Sequence, residues 1–207
     1  MRFDAPFRTL GWAPLGGGSA RATVLANHQV PDGDRSPTDR PAAYLRRILR
    51  DLAIDPRDAV AMMTGAKIRR AAYASARRGT LMAGCWCTAG CTNALRVGDR
   101  ATFAERRPGT INLIVAINEP LEQSAMVEAV QIATEARVLA VQNAGIVSTR
   151  SGELATGTGT DCIVVAAPLT PRAHRYCGKH TLAGELIGRA ALAACARALA
   201  RRGKEQE

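Results

Sequence analysis

The strongest constraint on the fold is a strand, a long helix and a second strand in succession. Thr110 to Asn118 reads TINLIVAIN, rich in β-branched side chains and apolar enough for burial on both faces of a sheet. Pro120 breaks it, and a long helix of about 22 residues follows from Glu122 to Asn143, with Met126, Val130, Ala133 and Leu139 turned inward and Gly145 as its stop. The run DCIVVAA, 161 to 167, reads as the next buried strand. If the two strands are parallel neighbours, they form a right-handed crossover.

The flanking sequence adds elements to this unit. Residues 5 to 27 read as two strands, PFRTLGWAPL and ARATVLAN, around Gly16, Gly17 and Gly18. A Pro- and Asp-rich loop from Pro31 to Pro41 ends in a helix start, where Thr38 or Asp39 caps, Pro41 opens the first turn, and Leu45, Ile48, Leu49 and Leu52 share a face. AVAMMT, 59 to 64, is a short strand, and AKIRRAAYASARRG shows neither period firmly. From Thr80 to Ala89, Leu81, Ala83, Cys85 and Cys87 alternate with Met82, Gly84, Trp86 and Thr88, a strand pattern. A last helix from about Thr181 to Arg202 packs Leu182, Leu186, Ile187, Ala190, Ala194 and Leu199. The expectation is an α/β chain bordering on α+β: one domain over 1–207, a mixed sheet, a βαβ-like crossover and about three main helices, with 1–4 and 203–207 as loose termini.

Composition narrows the functional classes. A net charge of +10 suits an anionic partner, but the arginines fall in scattered pairs such as Arg46-Arg47, Arg77-Arg78 and Arg201-Arg202, without interleaved aromatic residues. The expectation is therefore no nucleic acid. No stretch approaches ~18 apolar residues, so no membrane span is expected, and with no signal-like N-terminus a reduced, cytoplasmic protein is the economical reading of the six cysteines. A homo-oligomer is compatible with the sequence. Cys85, Cys87 and Cys91 lack the CxxC loop of a zinc or redox site and read as small core residues. Without HExxH or HxH, a metal is not favoured and no cofactor is required.

Unusual polar residues concentrate between Leu154 and Gly188. Thr156, Thr158, Thr160 and Asp161 precede a strand, and Lys179, His180 and Glu185 lie at the mouth of a helix. The glycines of ATGTGTD do not form a phosphate cradle, because such loops lead into a helix N-terminus and this one leads into a strand. Hydroxyls and backbone N–H groups facing an amide-rich ligand are one reading; a tight turn in which Asp161 bonds local backbone is the other. A histidine at a helix N-terminus tends to be neutral and able to accept a proton, with Glu185 close enough to orient it or to offset the helix dipole.

The chain as a whole resembles the adenosylcobinamide amidohydrolases of corrinoid salvage. The resemblance rests on the order and spacing of Ala13 to Gly18, Asn27-His28-Gln29-Val30, Met63-Thr64, Thr92-Asn93-Ala94, Gly109 to Asn112, Ala133 to Ala136, Ala155 to Asp161, His180-Thr181 and Gly184 to Gly188. The sequence departs from the family pattern at Lys179, where a small hydroxylated residue is expected, at Thr92 for a usual Ser, and in its cysteine-rich 85–91 segment.

The resemblance implies hydrolysis of the amide between a propionyl side chain of the corrin ring and aminopropanol, giving adenosylcobyric acid. A non-catalytic corrinoid-binding or trafficking protein is the alternative. For hydrolysis, His180 is expected as base and then acid, with Glu185 or Asp161 orienting it and His28 as a second acid–base group. Asn27, Thr64, Asn93, Asn112, Thr156, Thr158, Thr160 and Lys179 are expected to hold substrate. This arrangement requires the two ends of the 154–188 stretch to meet.

Overall fold

A computed structural model describes residues 1–34, 39–101 and 109–202. Its frame is a seven-stranded mixed sheet in the order β3-β2-β1-β9-β7-β5-β4, with three helices packed on it. The strands are β1 (Arg2–Gly11), β2 (Gly18–Gln29), β3 (Ala59–Thr64), β4 (Ala72–Arg78), β5 (Leu81–Ala89), β7 (Ile111–Ile117) and β9 (Cys162–Pro168). A two-stranded ribbon joins β6 (Ala94–Leu95) to β8 (Gly157–Thr158). The helices are α1 (Pro41–Asp51), α2 (Gln123–Asn143) and α3 (Leu182–Arg202). None of them is long and apolar enough to cross a membrane.

The crossover read from the sequence is present: β7 and β9 are adjacent and parallel, with α2 between them in the chain. Odd-numbered residues of β7 and β9, among them Ile111, Leu113, Val115, Ile163 and Val165, face α2 and α3 in the main core. The helices are alanine-rich on their buried sides, so they lie close to the strands. Ile114, Cys162, Val164 and Ala166 face the other way and are covered by Leu25, Val60 and Met62. The β2–β3 pair thus curls over the face of the sheet opposite α2 and α3. Helix α1 packs Tyr44, Leu45 and Leu49 on the outside of that flap against Val24, Ala59 and Ala61.

Several local expectations change. The N-terminus is not loose: Arg2 begins β1, Met1 exchanges backbone bonds with Leu25, and Phe3 stacks on Phe7 at 3.8 Å. Residues 203–207 lie outside the described residues, as does Thr38, and α1 begins after Arg40 with no side-chain cap. Leu52 sits past the end of α1, 61% exposed, while Tyr44 takes the inward position. Leu139 is on the outer side of α2. The ambiguous 66–79 segment divides into a short turn at Ile68–Arg70 and the edge strand β4, whose partner β5 supplies the period that its own sequence lacks.

Candidate functional site

The polar residues gather at one end of the sheet in two adjoining networks. The first is built around Asp161, just before β9. Its carboxylate accepts from the backbone N–H of Ile111 at 2.9 Å and of Thr158 at 2.8 Å, and pairs with Arg137 of α2 at 2.8 Å. Both ionic side chains are largely buried, so each remaining lone pair or proton needs a partner, and the surrounding backbone supplies several. Gly157 is required here because a Cβ would collide with the Asp161 carboxylate. Thr160 bonds Thr110 at 2.8 Å and donates to the Gly109 carbonyl, to which Thr158 also donates. Thr156 accepts from the N–H of Val97. These groups tie β7, β8 and β9 together, and the tight-turn reading of Asp161 describes them.

The second network lies one residue further along β7, on the flap side. Asn112 donates to the Asn27 side chain at 3.0 Å and to the Met63 carbonyl at 2.8 Å. Asn27 in turn donates to Thr88 of β5 at 3.0 Å. Buried amides at these strand ends fix how the curled β2 sits over β7 and β5.

Beside Asn27 and Thr88 opens a groove of about 510 Å³. Strand β1 runs out at the level of Val24, so β2 beyond Leu25 has an edge with no strand neighbour among the described residues on that side. The groove follows that edge. Asn27, Thr88, Ile114 and Trp86 line one side, and Ala26 and Ile54 the other. Its lining is mainly apolar with a few converging polar groups, and its size falls within the usual range for small-molecule sites, roughly 300–1,000 Å³. At its edge Trp86, 38% exposed, and Tyr73 form an aromatic platform with ring centroids 4.4 Å apart.

His28 follows Asn27 and points to the opposite face of β2, the face of Ala26. Its Nε2 lies 3.1 Å from the Tyr44 hydroxyl, which donates to Asp34 at 3.3 Å. Burial pulls the imidazole pKa below its usual value, partly offset by the Asp34 carboxylate. Burial also raises the Tyr44 phenol, with Asp34 adding to the effect.

His180 and Glu185 are elsewhere. Glu185 pairs with Arg78 at the β4–β5 turn, whereas Asp161 bonds Ile111, the partner of Ala89 at the far end of β5. The two carboxylates therefore belong to opposite ends of a nine-residue strand, a rise of about 26 Å. His180 is exposed, and Lys179 pairs with Glu135 of α2 at 2.6 Å. The expectation that Glu185 and Asp161 meet in one site is corrected, because β5 separates them, while Lys179 is held on α2 at Glu135, two residues from the Arg137 that pairs with Asp161. The Gly184 motif has a packing reason, since a Cβ there would strike the carbonyls of Cys177 and Gly178, and Thr181 caps α3 by accepting from the Gly184 N–H at 3.0 Å.

Thr64 and Asn93 lie apart from the groove lining, and the Asn93 Oδ1 is buried without a hydrogen-bond partner among the described residues. Thr64 is buried and accepts from the N–H of Ala66, shaping the turn after β3. Asn93 is buried against Gly109 at the rim of the Asp161 network. Of the residues expected to hold substrate, only Asn27 lines the groove, with Asn112 behind it. Trp86 and Thr88, which line the groove, and Tyr44 and Asp34, which adjoin His28, carry no site role in the sequence reading. The alternation in β5 already put Trp86 and Thr88 on one face, and a tryptophan on the outward side of a strand was the available signal. Cys85, Cys87 and Cys195 are buried between β5 and α3; the thiol pKa is raised at Cys85 chiefly by burial and at Cys87 chiefly by a hydrogen bond with Cys195, with burial next. Among the described residues no cluster of three His, Cys, Asp or Glu side chains is placed to hold a metal.

The family model described as adenosylcobinamide amidohydrolase matches residues 1–207. An uncharacterized protein of Methanocaldococcus jannaschii is 31% identical over 206 residues, an alignment that covers 90% of this chain and 80% of the relative.

Proposed function

Because the chain belongs to the adenosylcobinamide amidohydrolase family, we propose that it hydrolyses the amide joining a corrin-ring propionyl side chain to aminopropanol in adenosylcobinamide, releasing adenosylcobyric acid. The observation that carries this reading beyond the family is the apolar groove with Asn27 and Thr88 at its rim and Trp86 beside it. A corrinoid is a broad, largely apolar macrocycle fringed with amides. One ring edge in the groove would lie against Ile114 and Trp86 and leave peripheral amides to meet Asn27, Thr88 and the unpaired edge of β2. A protein confined to binding or trafficking would use the same surface without breaking the bond.

Incubation with adenosylcobinamide followed by mass analysis separates these readings. Appearance of adenosylcobyric acid and aminopropanol is the expected result. Tight binding without products would assign a carrier role, and the absence of both would remove the corrinoid from the function.

A further inference from the structure

The hydrogen-bond chain Asp34–Tyr44–His28 bears on the chemistry of this site, and its role there rests on the amide-hydrolysis reading. We infer that His28 is the general base and acid of the reaction, and that Tyr44 and Asp34 are positioning residues that hold its proton on Nε2 and present Nδ1 to the substrate.

The assignment follows from donors and acceptors. An ionised carboxylate only accepts, so the Tyr44 hydroxyl directs its single proton to Asp34, 3.3 Å away. Its oxygen is then left as an acceptor toward His28 Nε2, at 3.1 Å, which must carry the imidazole hydrogen. The lone pair is thereby placed on Nδ1, to which no described residue donates. This is the logic of a catalytic triad, in which a buried acid fixes the tautomer of a histidine whose second nitrogen does the work.

The position suits the role. Ala26 and His28 are two apart on β2 and share a face, and Ala26 lines the groove. His28 is therefore the next side chain on that face, one step past the groove's lining residues and against Tyr44, while its neighbour Asn27 lines the groove. In the reaction, Nδ1 takes a proton from water as the new C–O bond forms at the amide carbon. The protonated imidazole then returns that proton to the nitrogen as the C–N bond breaks, giving the carboxylic acid and neutral aminopropanol, and transfer of the acid's proton to the amine through water leaves a carboxylate and the aminopropanol ammonium. Tyr44, with Asp34 behind it, stabilises the transient imidazolium.

Two sets of measurements on the full chain test this. In kinetics with adenosylcobinamide, His28→Gln is expected to lower kcat by at least about a hundredfold with the substrate Kd within about twofold. Tyr44→Phe, which keeps the buried ring, and Asp34→Asn are each expected to lower kcat by roughly tenfold with little change in KM. Wild-type kcat in His28→Gln would overturn the proposal.

The second readout needs no substrate. The chain has three histidines, so His28 is identified in the NMR spectrum by its loss in His28→Gln. The charged and titratable groups facing it are Asp34 and Tyr44, with Arg47 5.4 Å from the Tyr44 ring centroid and the Asp32–Lys67 pair in the adjoining loops. Removing the Asp34 charge is expected to move the His28 titration to lower pH, and an unmoved titration would overturn the relay. If the wild-type protein bound and hydrolysed no corrinoid while this titration moved as expected, the relay would stand and the substrate assignment alone would fail.

Discussion

Asn112 of β7 donates a hydrogen bond to Asn27 of β2 across 85 positions of sequence, at 3.0 Å and 1% exposure of the donor residue. That bond joins the main sheet to the flap that curls over it, and it sets the rim of the groove. Replacing Asn112 with Ala removes the donor from two half-buried acceptors, the Asn27 side chain and the Met63 carbonyl. Each loss leaves a partly desolvated polar atom, so Asn112→Ala is expected to lower stability by about 1–2 kcal/mol in urea unfolding. Unchanged stability would show that the flap is held by its apolar contacts alone.

Asp161 is predicted to matter for the fold. Asp161→Ala would leave Arg137 buried without its partner and strip acceptors from Ile111 and Thr158, with an expected cost of about 3–5 kcal/mol measured by chemical denaturation. A variant of wild-type stability that lost turnover would instead place the carboxylate in the chemistry.

Trp86→Ala tests the platform. Because the side chain is partly exposed, stability should change little, whereas the apparent affinity for adenosylcobinamide should weaken about tenfold with kcat within about twofold. Unaltered KM would remove Trp86 from the binding surface.

Alkaline pH should destabilise the protein through its buried thiols. Cys162 and Cys177 are each pushed from 9.0 up to about 12, chiefly by burial, with the nearby charges of Asp161 and Glu128 adding to the rise. The folded pKa exceeds the unfolded one, so the neutral thiols' contribution is fully present below pH 9.0 and is lost as pH rises toward 12. Thermal unfolding temperature should fall over that window, and less steeply in Cys162→Ala when its own pH dependence is compared. An equal slope in the variant would assign the alkaline loss to other groups.

Much of this fold can be read directly from the sequence. The period-2 and period-3.6 patterns locate β5, α2 and α3 closely, and the apolar runs at 111–117 and 162–168 locate the parallel pair. The site is less legible because its residues are brought together by curvature. The bend of β2 over β7 depends on a register shift between Arg2 and Phe7 in the β1 pairing, which no local pattern announces. The density of Thr, Gly and Asp at 155–161 marks a hydrogen-bonded turn around Asp161, and its nearness to His180 in sequence does not by itself place the two in one site. Asn27 and His28 were visible as polar residues at a strand end, but their partners Tyr44 and Asp34 become neighbours only when α1 docks on the flap.

His180→Ala measures that difference. With His180 exposed just before α3, a helix packed on the sheet face opposite the one that lines the groove, turnover is expected to stay within about twofold of wild type. A loss of more than about tenfold with corrinoid binding intact would return the chemistry to the mouth of α3.

The most direct test of hydrolysis at this site is turnover of adenosylcobinamide in water enriched in heavy oxygen, with the products weighed by mass spectrometry. Hydrolysis places one heavy oxygen in the new carboxylate of adenosylcobyric acid and none in aminopropanol, and His28→Gln should show neither product above background. No cleavage by the wild-type protein, or an unlabelled carboxylate after a single turnover, would contradict it.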